Sequence, residues 1–271
     1  MLTPRRKHLI KQWAHLRLAT STLALGRGTH DVRTTNIRRV VFYPEFKIAY
    51  NRIAKSGNSS VLLYLYDAMA GGIQGDGETY NACKREATAA GIDLLQLTRD
   101  WDSVLSLRKY VFFTVVRNPW ARTLSAFLDK VAKAESDKYA MAGGYGDDSV
   151  EGFVSFLRFL DNGGLHVNHH WRPQSALLLL PKERFDHICR LETLAEDLPR
   201  ALSGTGLVLP HAGRLRRPHP IEASRAGKIT QATERMRHYY TNEALDLVSR
   251  MYASDFRLGG YSDDPRSIGL A

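Results

Sequence analysis

The 271-residue sequence predicts an α/β fold, one domain with a central parallel β-sheet flanked by helices on both sides. Three observations carry that prediction. Residues 110–116 (Tyr-Val-Phe-Phe-Thr-Val-Val) form an almost continuous apolar run. Such a run suits a strand buried on both faces, as in a parallel sheet covered by helices. Residues 47–69 and 109–131 each read as strand, polar turn and amphipathic helix, and strand-like and helix-like stretches alternate along the rest of the chain.

In chain order, residues 1–39 form a basic arm or helix appended to a domain over residues 40–271. Residues 40–54 are rich in β-branched and aromatic residues and predict one or two strands bent at Pro44. From Ser59 to Ala70 the apolar residues Val61, Leu62, Leu65 and Met69 share a helical face, and Gly71-Gly72 stops that helix. A loop over 71–82 and a helix near 83–91 follow. After the apolar strand, Pro119 suits the first turn of a helix that runs on through Ala134. Residues 141–148 are glycine-rich and loop-like. Ser149 caps a helix that ends at Asn162-Gly163-Gly164. Residues 185–192 predict a strand, 193–202 a helix, 211–228 a basic, proline-bearing loop, and 236–256 one closing helix. There is no internal repeat.

The formal charge is +10, and it is clustered. Residues 1–39 carry nine Lys or Arg against one Asp, and residues 211–240 carry seven against two Glu. Positive charge so placed points to an anionic ligand, an anionic polymer or a membrane surface, or else to a solvated basic arm. No stretch of 18 apolar residues occurs, and the N-terminus has no apolar core before a cleavage site, which argues against a spanning helix and a signal peptide. The two cysteines, Cys83 and Cys189, form no CxxC pair, which excludes a zinc ribbon and fits a reducing compartment.

The two turns carry the chemistry. Where a strand ends and a helix begins, unpaired backbone N–H groups converge and the helix dipole favours negative charge. The turn Ala54-Lys55-Ser56-Gly57-Asn58-Ser59-Ser60 sits at such a junction. Gly57 lets the backbone approach a ligand, Ser59 and Ser60 add hydroxyls, and Lys55 adds a mobile charge. The pattern GxxxxGK[ST] is absent, so this is no Walker motif; taken alone, the turn also reads as an ordinary helix cap with a surface lysine. At the second junction Arg117 follows the apolar strand directly, and Ser125 lies eight positions on. Arg117 offers a phosphate a bidentate fork, or a salt bridge to the sheet end. Together the two turns suit the two ends of one doubly phosphorylated nucleotide.

The sequence Val116-Arg117-Asn118-Pro119-Trp120-Ala121-Arg122-Thr123-Leu124-Ser125, with the Lys55 turn before it, resembles the sulfotransferases that use 3′-phosphoadenosine 5′-phosphosulfate, particularly their carbohydrate branch. Residues 169–178 are similar to the family's His-Trp-x-x-Gln segment, residues 185–198 to its Tyr-Asp-x-Ile segment, and residues 239–261 to its closing helix with Asp-Phe and a final Tyr. The likeness spans about 40–262 and leaves the arm unmatched. The architecture it implies is P-loop-like.

The resemblance implies that Lys55, Ser56, Gly57, Asn58, Ser59 and Ser60 hold the 5′-phosphosulfate and that Arg117 and Ser125 hold the 3′-phosphate. The donor would leave as adenosine 3′,5′-bisphosphate, without a metal. Arg216, with Arg214 and Arg217, would close over the donor or meet an anionic acceptor. Lys55 would stabilise charge on the leaving oxygen. A general base would come from His166, His169 or His170, with His170 at the family's His-Trp position and Asp129 and Glu192 as alternatives. Glu192 reads better as a buried structural acid, and the three histidines also admit a metal-site or a structural reading. The acceptor implied is a hydroxyl of a carbohydrate or glycolipid. Golgi members often carry paired cysteines after the His-Trp segment, where this chain has Leu177–Leu180. That implies a soluble, cytoplasmic enzyme of bacterial type, with the basic arm as a peripheral membrane contact. Two other classes compete: a nucleotide-dependent kinase, opposed by the missing Walker pattern, and a nucleic-acid-binding protein, for which the arm offers only Trp13 as an aromatic partner.

Overall fold

The structure, a computed structural model, describes residues 39–70, 107–207, 215 and 232–269. The arm over 1–38, the loop at 71–82, the helix near 83–91, Cys83, and Arg214, Arg216 and Arg217 lie outside those residues.

The sheet has four strands: β1 (Val40–Tyr43), β2 (Ile48–Asn51), β3 (Val111–Val116) and β4 (His187–Arg190), side by side in that order. β2, β3 and β4 run parallel, with Asn51 beside Thr114 and Thr114 beside Ile188. β1 is antiparallel to β2, pairing Val40 with Asn51 and Tyr43 with Ile48. The sheet is therefore mixed, which corrects the expectation of a parallel one. The reason is the connection: one 3₁₀ turn over Pro44–Phe46 and Lys47 at φ +53° join the two strands. A parallel crossover needs a dozen residues or more.

Seven helices are seen among the described residues: α1 (Asn58–Ala70), α2 (Pro119–Lys130), α3 (Val150–Asp161), α4 (Leu194–Leu202), α5 (Ala232–Tyr239), α6 (Asn242–Met251) and α7 (Ala253–Gly259). Alternation along the strands sorts their side chains onto two faces. Val41, Tyr43, Ile48, Tyr50, Phe113, Val115 and Cys189 pack against Val61, Leu62 and Leu65 of α1 and Leu194 and Leu198 of α4. The opposite face is covered differently from the prediction. Val40, Phe42, Ala49 and Phe112 meet Leu179, Leu180 and Phe185, which belong to an extended connection, and Leu258 of α7 reaches the end at Val116. Asn51 pins that connection to the sheet: its amide donates to Leu177 O at 3.2 Å and its carbonyl accepts from Leu179 N at 2.8 Å. The apolar Leu177–Leu180 run is thus core, at roughly 1.5–3 kcal/mol for each fully buried side chain.

The remaining helices build a second core beside the sheet. Trp120 and Phe127 of α2, Phe153 and Phe156 of α3, and Trp171 pack with Tyr239, Tyr240, Val248 and Tyr252. The hydroxyl of Tyr240 donates to Trp120 O at 2.7 Å, that of Tyr252 donates to Trp171 O at 2.6 Å, and the Trp171 indole donates to Gly164 O at 2.9 Å. Asn118 caps α2 by accepting from Trp120 N, and Ser149 caps α3 by accepting from Gly152 N, as their sequence positions predict. The single closing helix is three. Thr241 accepts from Ala244 N and so starts a new helix, and the backbone turns again at Tyr252. α2 is shorter than predicted, stopping at Lys130 ahead of Ala134 at φ +50°.

β2, β3 and β4 all end on the same edge of the sheet. In open α/β sheets that carboxyl edge is where ligands bind. The turns at Lys55 and Arg117 both lie there.

Candidate active site

The first turn leaves β2 through a strained backbone. Lys55 has φ +67°, a left-handed conformation that costs a non-glycine residue of order 1–3 kcal/mol. Gly57 follows at φ +72°, and a Cβ there would stand 2.4 Å from Leu191 Cδ1. Glycine is thus required for close approach of the α1 start to the segment after β4. Val61 N closes the first helical bond on Gly57 O, at 3.0 Å, so the donors ahead of it belong to the set that a helix start leaves without helical partners.

The second turn is bolted to the first. Gln174, wholly buried, accepts at one amide oxygen from both Ser56 Oγ and Arg117 N, each at 2.9 Å, and its amide nitrogen donates to Arg117 O at 2.8 Å. Arg117 Nη1 donates to Lys55 O at 3.4 Å. Asp255, also buried, holds the Gln174 segment in turn: its two carboxylate oxygens accept from Gln174 N at 2.6 Å and Ser175 N at 2.9 Å. Burial raises the Asp255 carboxyl above its usual range, against the pull of Arg122 and these N–H donors.

Arg122 ties the same parts from the α2 side. It is 1 % exposed and donates to Ala54 O at 3.0 Å, Arg172 O at 2.9 Å and His169 O at 3.3 Å. The five N–H groups of a guanidinium can serve several carbonyls at once, which lysine could not do in this geometry. Arg122 joins the Lys55 turn to the histidine segment. Burial lowers its pKa, and Asp255 and Tyr252 oppose that shift.

Lys55 Nζ lies 3.1 Å from Asp129 Oδ2 on α2, and Lys130 Nζ lies 2.9 Å from the same oxygen. Burial lowers Lys55 to about 8, with Asp129 resisting and Arg117 and Lys130 assisting. Burial would raise Asp129, but Lys55 and Lys130 outweigh it and hold its carboxyl below the usual range.

His170 belongs to the same group of charges. Burial first, then His169, Lys130 and Lys55, push it to about 2, with Asp129 in opposition. Its Nδ1 is 2.8 Å from Asn168 Oδ1, which also accepts from His170 N at 3.0 Å. An amide oxygen accepts only, so Nδ1 carries the hydrogen and the lone pair is at Nε2. The His169 ring lies against His170, with centroids 4.1 Å apart, and burial with Arg39, Lys138, Arg172 and Arg122 lowers it to about 4. His166 is set apart: it is exposed at a 3₁₀ end, and its carbonyl oxygen holds the Arg172 guanidinium.

The structure thus gathers Lys55, Asp129, His169 and His170 at one place, with Arg117 joined to them through Lys55. Ser125 is 2 % exposed on α2. Asn58 and Ser59 open α1, half-buried, with Ser60 buried behind them, and the hydroxyl hydrogen of Ser56 is committed to Gln174. Glu192 is exposed rather than buried, which corrects its reading as a buried acid. It lies just past β4 and accepts from Asn118 N at 2.8 Å and the Tyr261 hydroxyl at 2.6 Å. Among the described residues no three His, Cys, Asp or Glu are grouped to hold a metal ion, and no helix is long and apolar enough to cross a membrane. Gln174, Arg122 and Asp255 each fall within a stretch that carries the resemblance, but their connecting roles have no local signal, because each serves partners more than 45 positions away.

No curated protein and no solved structure matches this chain. The model of one protein family, described as the sulfotransferase family, matches residues 38–262, from the start of β1 past the end of α7. That span covers both turns, the Gln174 junction and the histidine segment, and it is most of the sequence: the chain belongs to the sulfotransferase family and is a transferase of sulfuryl groups.

Proposed function

We propose that the chain moves the sulfuryl group of 3′-phosphoadenosine 5′-phosphosulfate to a hydroxyl of a carbohydrate or glycolipid acceptor. The junction at Gln174 carries this reading: one amide side chain fixes Ser56 in the first turn to Arg117 in the second. A donor with phosphates at both ends of one nucleoside needs two anion sites at a set separation, which a single Walker-type turn does not supply.

The N–H groups at the α1 start cradle the 5′-phosphate, and Arg117 with Ser125 takes the 3′-phosphate. Lys55 lies between burial and Asp129, poised to place its charge on the bridging oxygen. In the step, the acceptor oxygen forms a bond to sulfur as the bond from sulfur to the bridging oxygen breaks, and the bisphosphate departs with the electron pair. The acceptor proton passes to His170, whose Nε2 is unprotonated at neutral pH because burial and nearby cations keep the ring neutral. Positioning and charge stabilisation supply the rate, by analogy with phosphoryl transfer.

Thermal shift with adenosine 3′,5′-bisphosphate against ATP with magnesium tests the reading. At 100 times its Kd a ligand adds about 2.7 kcal/mol, several degrees for a chain of this size. Stabilisation by the bisphosphate and its loss in Arg117→Ala are expected. Stabilisation by ATP-magnesium alone points to a kinase and retires the proposal.

A further inference from the structure

We propose that Glu192 and Tyr261 form a positioning pair for the 3′-phosphate site: together they hold the Asn118 end of the second turn, so that Arg117 meets the phosphate in one set orientation. The inference rests on the donor reading above and deepens it.

Gln174 fixes the backbone N–H and carbonyl of Arg117. The next peptide N–H is held from a different element: Asn118 N donates at 2.8 Å to Oε1 of Glu192, just past β4. The second carboxylate oxygen, Oε2, accepts from the Tyr261 hydroxyl at 2.6 Å. That hydroxyl also lies 3.5 Å from Val116 O, the residue ahead of Arg117. The pair thus spans residues 116–118, with Arg117 in the middle.

Tyr261 is itself placed with care. It follows α7 directly after Gly260 at φ +61°. Arg190, at the end of β4, lies over its ring at 5.2 Å and donates to Gly260 O at 3.2 Å. A Cβ on Gly259 would stand 2.2 Å from the Tyr261 ring, so glycine there lets the ring approach. Burial first, then Glu192, raise the Tyr261 phenol above its usual range, while Arg190 and Arg117 oppose. The hydroxyl therefore keeps its hydrogen for Glu192, and the Arg117 charge is close enough to act on it.

Glu192 is exposed, and replacing an exposed side chain as a rule changes folding stability little. What its carboxylate does hold is the turn that carries Arg117. A guanidinium meets a phosphate through a planar fork, so the strength of the contact depends on orientation, and small misplacements are costly. Among the described residues no bond of Glu192 goes to the Lys55 turn, so its effect falls on the 3′ end of the donor.

The test measures calorimetric affinities of the full chain for adenosine 3′,5′-bisphosphate and for AMP, which lacks only the 3′-phosphate. Their ratio is the contribution of that phosphate. Glu192→Ala is expected to weaken the bisphosphate roughly tenfold and AMP by less than about twofold, as lost orientation at one end requires. Glu192→Gln, whose amide oxygen still accepts from Asn118 N, should retain most of the ratio. Tyr261→Phe should lower the ratio by about threefold, and adding it to Glu192→Ala should cost nothing further, because Tyr261 acts through Glu192. Equal weakening of both nucleotides in Glu192→Ala overturns the proposal, since it marks a structural role only. Unchanged bisphosphate affinity overturns it too, as does tighter binding, which would make the carboxylate a competing charge. Additive losses in the double variant overturn the pairing. Should Glu192→Ala fail to fold, Tyr261→Phe decides: a wild-type ratio there overturns the proposal. A wild-type protein that binds the two nucleotides alike counts against the donor reading, and the positioning role falls with it.

Discussion

The Lys55 ammonium is 3.1 Å from a carboxylate oxygen of Asp129, and that contact sets how the charge of the first turn responds to pH. Burial drops Lys55 to about 8, and Asp129 is the main force keeping it protonated. An anion at the turn needs the ammonium, so bisphosphate affinity should be full at pH 7 and decline as pH rises through about 8. In Asp129→Asn the support is gone, and the decline should move to lower pH. Well below its own decline, where Lys55 is charged in both proteins, the variant should bind at least as tightly as the wild type, because a competing carboxylate has been removed. Titration of affinity between pH 6.5 and 9.5 checks this, with Lys55→Met as the curve lacking the step. Coincident curves for wild type and Asp129→Asn would dismiss the pairing as incidental. For stability the sign is opposite. Between about 8 and 10.5 the unfolded chain binds the Lys55 proton more readily than the folded one, so this group makes stability rise with pH across that window.

Gln174 has four hydrogen bonds within the junction, three from its side chain and one from its backbone N–H. Truncation to Ala leaves the buried Ser56 hydroxyl and both backbone groups of Arg117 without their partner and opens a cavity. Each unsatisfied buried group costs roughly 1–3 kcal/mol, so Gln174→Ala should lose about 2–4 kcal/mol in urea unfolding, since local relaxation recovers part. The bisphosphate should also bind more weakly, because the spacing of the turns is no longer fixed. A variant with wild-type stability and affinity would remove Gln174 from the account of the site.

At Gly57 two constraints coincide, the positive φ and the 2.4 Å approach of a Cβ to Leu191. Gly57→Ala therefore has to strain the backbone and displace a partly buried leucine, for a loss of about 1–3 kcal/mol. Leu191→Ala should relieve the second cost and leave the first. Unfolding of the two single variants and the double variant measures this: the double should lose less than the sum of the singles. Strict additivity would show that the clash has no part in the cost.

The sequence shows the turns well because their signals are local. A glycine needed for positive φ, a proline at a helix start and an apolar run before Arg117 each act within a few residues. The direction of β1 is local information too, since four residues between Tyr43 and Ile48 exclude a crossover, whereas the apolar run at 110–116 speaks only for β3 and its parallel neighbours. The single helix over 236–256 failed because a helical apolar period continues across Thr241, whose hydroxyl nevertheless caps a new start. What stayed hidden was the junction. Gln174, Arg122 and Asp255 earn their places through partners far along the chain, and a glutamine or a motif arginine looks the same whether it faces water or three carbonyl groups. Glu192 shows the converse: the sequence reads it as a buried structural acid, and the structure has it exposed, its carboxylate accepting from Asn118 N.

His170 has its Nδ1 hydrogen fixed on Asn168 and its ring kept neutral by burial, by His169 and by the two lysines. A ring so depressed is a weak base in the resting site. An anionic donor adds negative charge nearby and would raise it toward the working range, which makes the donor-loaded complex the competent state. His170→Ala should therefore cut acceptor-dependent consumption of the donor by roughly 10²–10⁴ while bisphosphate affinity holds within about twofold. Asn168→Ala should act on the same step more mildly, by releasing the tautomer. Quenched-flow measurement of a single turnover separates this chemistry from product release. Near-normal single-turnover rates in His170→Ala would pass the role to Asp129, whose carboxyl is ionised at neutral pH and lies within the same group of charges.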